Sequence, residues 1–343
     1  MNNWWLQLLG NFPKQHALPA PWCNQEVVFA DVGARGGPPD NWLKLKGQIR
    51  YVCFEPDSEE AINIRKHFQK TNDYQGIVLA RALGAKVGAA DLHLTRFRPS
   101  SSILEPNHQL LAQMKVGGLF EVEKKLPVQI VTLDGEQDAF ESGLDFLKVD
   151  VQGYEMEVLK GASKTLDQII GCELEVSFIE IYKNQPLFAE IDQFMRSHGF
   201  FLADLERFWW RRHGSPLEIQ ERGTLSYGNA FYLKSRFLEP PDRSAALVAS
   251  LICSAMGLEE IALEIVASAV KSGFFLATEM TAFESWIRAR RSQTVFWFKM
   301  GDKLRCLPGR RTLARWFSLW ARALEGNSHT SSDAQSWNRK TSW

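Results

Sequence analysis

The chain lacks the marks by which several protein classes announce themselves. Its five cysteines, Cys23, Cys53, Cys172, Cys253 and Cys306, lie far apart without a CxxC pair, which argues against a zinc knuckle and for reduced, buried thiols. Net charge is missing too. Forty basic residues balance forty acidic ones, so composition gives no argument for a nucleic-acid partner. The longest uncharged candidate, Ser244 to Leu258, stops at Glu259 and Glu260, short of the roughly twenty apolar residues that span a bilayer. MNNWWLQLLGNFPK has neither the basic start nor the long apolar run of a secretory signal, and the expectation is a cytoplasmic protein. Without a His-x-x-x-His pair, a Ser-His-Asp order or a P-loop, hydrolase and kinase chemistry have no support.

What is present is the composition of a soluble globular protein: 343 residues, 45% hydrophobic and 23% charged. Strand-like apolar runs at Val27–Val32, Tyr51–Phe54, Gly76–Leu83, Phe146–Val151, Ile169–Val176, Phe200–Leu205 and Ala230–Lys234 alternate with helical patterns at Glu59–Gln69, Tyr154–Lys160 and Phe188–His198. Such alternation predicts an α/β fold around a mainly parallel sheet. The last two strands are joined by a loop alone and should pair antiparallel. An insertion between Gly84 and Thr132 contains an alternating run, Ala89–Leu94, and the loop RPSSSILEPN. After Glu239-Pro240-Pro241-Asp242 the chain becomes alanine-rich and helical. The expected organisation is an N-terminal segment (1–24), an α/β domain (25–236), a helical region (237–326) and a polar, disordered tail (327–343).

Charge in unexpected places marks the site. In LDFLKVDVQGYEMEVLKGA, Lys148 and Asp150 interrupt a buried strand, and Glu155 shares a helical face with Val158, Leu159 and Ala162. Gly161 suits the left-handed position after that helix. Ligands of open α/β sheets sit beyond the carboxyl ends of strands, where Asp150 and Glu155 would meet. In VVFADVGARGG, a strand enters a turn at Gly33, Gly36 and Gly37, yet Arg35 stands where a dinucleotide fingerprint needs glycine. Glu55 follows at the end of the next strand, where an acid can accept hydrogen bonds from both ribose hydroxyls of an adenosine. Asp31 as a helix cap, the glycines as an ordinary turn and Glu55 as an N-cap before Pro56 are the alternatives. Three coincidences at one end of one sheet favour a nucleoside site.

At this point the chain resembles the FkbM family of S-adenosylmethionine-dependent methyltransferases. The resemblance runs through DVGARGG, CFEPD, RALGAKVGAADLHL, Ser100–Ser102, TLDG, DFLKVDVQGYEMEVLKGA and QPLFAEIDQFMRSHGFFLADL, about Val27 to Lys234. It implies a Rossmann-like class I methyltransferase sheet of seven strands with an antiparallel final hairpin, here followed by a C-terminal helical extension. It further implies Asp31 and Gly33, with Ala34, Arg35 and Gly37 of the same turn, near the methionine end of S-adenosylmethionine. Glu55 would lie on the ribose, Arg81 with Ala82 and Leu83 near the adenine, and Asp150 beside the transferred methyl. The family commonly has Asn or another small residue at the position of Arg35. Hydroxyls of sugars, glycans or secondary metabolites are the substrate class implied.

Transfer to a hydroxyl requires alignment and a destination for the proton. Asp150 is the first candidate for base or orienter, with Lys148 and Glu155 as electrostatic partners or as a structural ion pair. Ser101, Ser102 and Glu175 are candidate acceptor contacts, and His93 and His108 flank the serine loop. Glu173, Glu175 and Asp150 could hold a divalent metal, or the two glutamates could form a solvated strand face. Leu313–Leu324, rich in Trp and Arg, could lie on the inner face of a membrane or pack on the protein, and WWLQLL carries the same ambiguity. The competing functions are a non-catalytic cofactor-binding module and a nicotinamide-dependent oxidoreductase.

Overall fold

The computed structural model describes residues 17–39, 42, 45, 47–71, 75–140, 143–214 and 223–289. They fall into two compact units, one from Glu26 to Leu238 and one that joins 17–25 to 239–289.

The larger unit is built on a seven-stranded sheet. Its strands are β1 (Val27–Val32), β2 (Ile49–Phe54), β3 (Gln75–Leu79), β7 (Phe146–Val149), β8 (Gly171–Ser177), β9 (Phe200–Trp210) and β10 (Thr224–Lys234), in the order β3-β2-β1-β7-β8-β10-β9. The pairs from β3 to β8 are parallel, and β10 runs antiparallel to both β8 and β9. This is the class I methyltransferase arrangement expected, with its reversed final strand. β1 has β2 on one side and β7 on the other, so the strand order turns there and opens a crevice beyond the carboxyl ends.

The sheet's two faces differ. One is aliphatic: Val28, Ala30, Val32, Leu147, Val149, Cys172, Leu174 and Val176 pack with residues of α3 (Glu155–Lys160), α4 (Ser163–Gln168) and α5 (Phe188–Ser197). The other is aromatic, with Phe29 stacked on Trp42 at 4.5 Å and Phe146 on Phe231 at 5.8 Å. α1 (Ser58–Thr71) links β2 to β3.

The single strand expected over Gly76–Leu83 is two. The chain leaves the main sheet after Leu79, and β4 (Ala82–Leu83) joins β5 (Gly88–Thr95) and β6 (Val122–Val131) in a separate three-stranded sheet, order β4-β6-β5. Ala82, Leu92, Leu94, Val128 and Ile130 form its own small core. A short helix, α2 (His108–Leu111), sits between β5 and β6.

Gly161 corrects another expectation: its φ is −81°, not left-handed. It is required by packing, since a Cβ there would lie 2.0 Å from Gly84 O. The TLDG stretch is also structural, because Asp134 accepts from the backbone of Lys164 and Thr165 at 2.9 Å each and caps α4. Cys23 is exposed, against the expectation of buried thiols, whereas Cys53, Cys172 and Cys253 are buried; Cys306 lies outside the described residues.

The smaller unit contains α6 (Arg243–Ala255) and α7 (Glu259–Lys271). Trp22 anchors it, stacked on Phe283 at 4.6 Å with its indole N–H given to Ser250 Oγ at 2.9 Å. The segments 4–9, 313–324 and 327–343, on which the membrane and disorder expectations fall, lie outside the described residues. No helix among the described residues is long and apolar enough to cross a membrane.

Candidate functional site

A cavity opens where the strand order turns. It is lined by the ends of β1 and β2 (Val32, Gly33, Arg35, Phe54, Glu55, Pro56), by Arg81 to Leu83, by Arg98, Pro99 and Ser101 with Ile103 and Leu92, and by Asp150, Val151, Gln152 and Tyr154.

Gly33 makes the crevice possible. At φ +81° its backbone passes so close to the chain after β7 that a Cβ would stand 1.9 Å from Asp150 O. Its N–H is given to Phe54 O at 2.9 Å, and Asp150 N–H to Val32 O at 2.9 Å, so β1 binds the ends of both neighbours. Glu55 is 3% exposed and accepts from Asp57 N–H at 2.9 Å. Burial pushes its carboxyl up to about 7, against the pull of Arg35.

Asp150 lines the same cavity from the end of β7. Its side chain keeps 38% of its surface open, and Lys148 Nζ lies 3.8 Å away. Gln152 donates to it at 2.8 Å and also to Glu175. Burial alone would raise the Asp150 carboxyl. The Lys148 ammonium and the hydrogen bonds from Glu175 and Gln152 prevail and hold it below the usual carboxylate range. Burial and the charge of Asp150 push the Glu175 carboxyl well up.

Gln152 holds this corner together. It is left-handed at φ +59°, a conformation that costs a non-glycine residue energy and persists where its surroundings enforce it. Ser102 Oγ donates to its carbonyl at 2.7 Å, and the Tyr182 hydroxyl, 2.7 Å from Ser100 O, lies 3.0 Å from its amide oxygen. The amide nitrogen is thereby turned towards the two carboxyls. Ser102 thus ties the serine loop to the turn after β7 and does not line the cavity, whereas Ser101 does.

Gly33, Arg35, Glu55, Ala82, Leu83, Ser101 and Asp150 meet at the cavity as expected from the sequence. Asp31, Ala34, Gly37, Lys148, Glu155, Ser102 and Glu175 do not line it. Asp31 is 1% exposed on the aromatic face, where it accepts from Tyr51 at 2.5 Å and Lys148 at 3.1 Å. Lys148 points to that same face, and its ammonium is held charged well above the usual lysine range by Asp31 and Asp150 despite burial. Glu155 forms no ion pair with Lys148. Its Oε1 accepts from Val151 and Gly153 N–H at 3.1 Å each, closing the turn before α3, and burial pushes it up to about 7. Gly37 is left-handed at φ +83° in the turn, with open space where a Cβ would be.

Glu173 and Glu175 are not a solvated face. Burial pushes Glu173 up to about 7, and its Oε2 is buried without a hydrogen-bond partner. Among the described residues no group of three His, Cys, Asp or Glu could hold a metal ion. Neither His93 nor His108 lines the cavity.

Gln152, Tyr154 and Arg98 were missed as site residues. Gln152 and Tyr154 flank Gly153, itself left-handed at φ +97°, and two consecutive left-handed residues aim neighbouring side chains in directions that no periodicity reports. Tyr154 also borders a second depression with Leu104, Gly153, Met156, Asn184 and Pro186.

Among solved structures, the chain is similar to magnesium protoporphyrin IX methyltransferase from Synechocystis PCC 6803, at 12% identity over 67% of this chain and 75% of that one, TM-score 0.33. It is also similar to TrmK from M. capricolum, at 10% identity over 90% and 96%, TM-score 0.30. The fold rests on the strand order rather than on these likenesses. A relative in sequence is the 2-O-methyltransferase NoeI of Sinorhizobium fredii, 27% identical over 179 residues, 49% of this chain and 70% of that protein. The methyltransferase FkbM domain matches residues 31–202. That stretch is half of the chain and contains the end of β1, the residues that line the cavity and every residue of the Asp150 corner, so the chain belongs to the FkbM family of S-adenosylmethionine-dependent methyltransferases.

Proposed function

We propose that this methyltransferase transfers the methyl group to a hydroxyl of a sugar, glycan or related small molecule, with Asp150 receiving or orienting the hydroxyl proton. The observation that carries the reading is the open carboxyl of Asp150, which lines the same cavity as Glu55 and lies 3.8 Å from the Lys148 ammonium.

The residues present fit the cofactor. A glycine whose Cβ would strike Asp150 O leaves backbone at the crevice floor, Glu55 offers acceptors for a ribose diol, and Leu83, Leu92 and Ile103 supply an apolar wall for a purine. When bound, the sulfonium supplies an activated methyl group for in-line displacement. The protein's part is to align the acceptor, exclude water and take up a proton. An ionised Asp150 can accept a hydrogen bond from an alcohol, whereas the upward push on Glu175 disfavours a second negative charge beside it. Gln152 fixes the direction in which Asp150 points. The depression beyond Tyr154 is the approach proposed for the acceptor.

The relative's printed activity, 2-O-methylation, supports oxygen as the methylated atom. The test is to incubate the protein with methyl-labelled S-adenosylmethionine and a panel of sugars, oligosaccharides and small alcohols. Label recovered as a base-stable methyl ether is expected, and Asp150→Asn should abolish most of it while still binding S-adenosylhomocysteine. Label confined to base-labile esters or to nitrogen would overturn hydroxyl transfer. Peripheral membrane attachment and oligomerisation carry no further argument among the described residues.

A further inference from the structure

Arg35 lies in the turn after β1, yet its side chain reaches across to the end of β2. Its Nη2 is 2.9 Å from Asp57 Oδ2 and 3.9 Å from Glu55 Oε1, and its Nη1 is 3.6 Å from Glu60 Oε2. The adjacent Gly36 N–H reinforces the same link by donating to Glu60 at 3.2 Å. One guanidinium therefore serves three carboxylates, of which Glu55 is the most buried, with a side chain 4% exposed. Glu55 and Arg35 both line the cavity, as do Arg81, Arg98 and Asp150.

This arrangement sets a conflict in charge. A carboxylate that accepts from two ribose hydroxyls has to be ionised, but burial and the neighbouring Asp57 and Glu60 all favour the protonated acid. Arg35 and the Asp57 N–H oppose them. The Cys53 thiol is pushed up by burial and so adds no further negative charge beside Glu55.

We infer that Arg35 is a positioning residue for the cofactor: its guanidinium supplies the countercharge that keeps Glu55 in the ionised form a ribose diol requires. The inference rests on Glu55 being the ribose acid of the methyltransferase reading. It explains a bulky cation in a turn where glycines otherwise make room. Because Arg35 acts through Glu55, its removal alters the pH at which the cofactor binds as well as the affinity.

The experiment is calorimetric titration of the full chain with S-adenosylhomocysteine from about pH 6 to about pH 9, for wild type, Arg35→Met, Arg35→Lys and Arg35→Met combined with Glu55→Gln. The ligand's own titration cancels in ratios between variants. Arg35→Met should bind at least about fivefold more weakly near neutrality, with the gap closing to about twofold or less at the alkaline end, because removing the cation raises the pH at which Glu55 ionises. Arg35→Lys should recover most of the loss. With Gln at position 55, Arg35→Met should add no pH-dependent loss.

A gap that stays constant with pH, or no gap, overturns the role assigned to Arg35. If Arg35→Met does not fold, Arg35→Gln makes the same comparison, since it keeps hydrogen-bond donors and loses only charge. Wild-type protein that is folded but binds no S-adenosylhomocysteine at any pH overturns the cofactor site itself, a result distinct from failure of the Arg35 role alone.

Discussion

Glu55 and Asp150 are two carboxylates at the ends of parallel strands, both lining one cavity, and their surroundings drive them in opposite directions. Glu55 is pushed up to about 7 by burial, and the guanidinium that opposes this is shared with Asp57 and Glu60. Asp150 is held low, because Lys148 lies beneath it and Gln152 and Glu175 donate to it. The difference teaches that position at a strand end does not set ionisation. The ratio of positive charge and donors to carboxylates does.

Removing Lys148 should break the comparison most severely. Lys148→Met leaves Asp31 buried without its cation and should cost about 3–5 kcal/mol of stability, the usual penalty for an unpaired buried charge, read as a lower urea midpoint. An unchanged midpoint would show that the Asp31–Lys148 pair contributes nothing to stability. Asp150→Asn comes next. Turnover on whichever acceptor takes label should fall by about a hundredfold or more, within the range of general-base effects, while S-adenosylhomocysteine affinity changes by about threefold or less. Equal losses in affinity and turnover would make Asp150 a cofactor contact instead.

Glu55→Gln sharpens the other side of the comparison. It should weaken S-adenosylhomocysteine about tenfold, consistent with the loss of a charge-assisted hydrogen bond, and leave the folding midpoint near that of the wild type. The effect at Glu155 is confined to alkaline pH, because its folded carboxyl lies near 7 against an ordinary 4.5. A raised carboxyl makes a stability contribution that is fully present below the ordinary value and is lost as pH rises through about 7. Glu155→Gln can still accept from Val151 and Gly153 and should remove that loss, gaining up to about 3 kcal/mol over the wild type near pH 8 and nothing near pH 4. A parallel pH profile in wild type and variant would show that Glu155 ionises at its ordinary value.

Much of the fold was legible because buried parallel strands are continuous apolar runs: those of β1, β2, β7 and β8 fall within two residues of the strands observed, while the runs at β9 and β10 catch one end of longer antiparallel strands. Gly76–Leu83 misled because β3 and β4 are both apolar, and a run of hydrophobic residues does not say which sheet each half joins. Within the site, Gly33, Glu55 and Asp150 were readable from strand ends. Asp31 and Lys148 were read towards the cavity, but alternation puts them on the same face as Phe29 and Phe146, where they pair with each other. Glu155 was read as an ion-pair partner, and instead its acceptors meet backbone N–H groups two and four residues away. Local hydrogen bonds of this kind depend on the left-handed turn at Gln152 and Gly153, which carries no hydrophobic period.

The sequence by itself determined the family, the parallel sheet and the strand ends at which chemistry would gather, since these follow from apolar periodicity and a few residues of fixed local geometry. Only the tertiary structure decided the state of each charged group. Ionisation depends on which cation or donor comes within about 4 Å, and Arg35 with Glu60, Lys148 with Asp31, and Gln152 with Glu175 come together only when separate strands and loops are folded against one another.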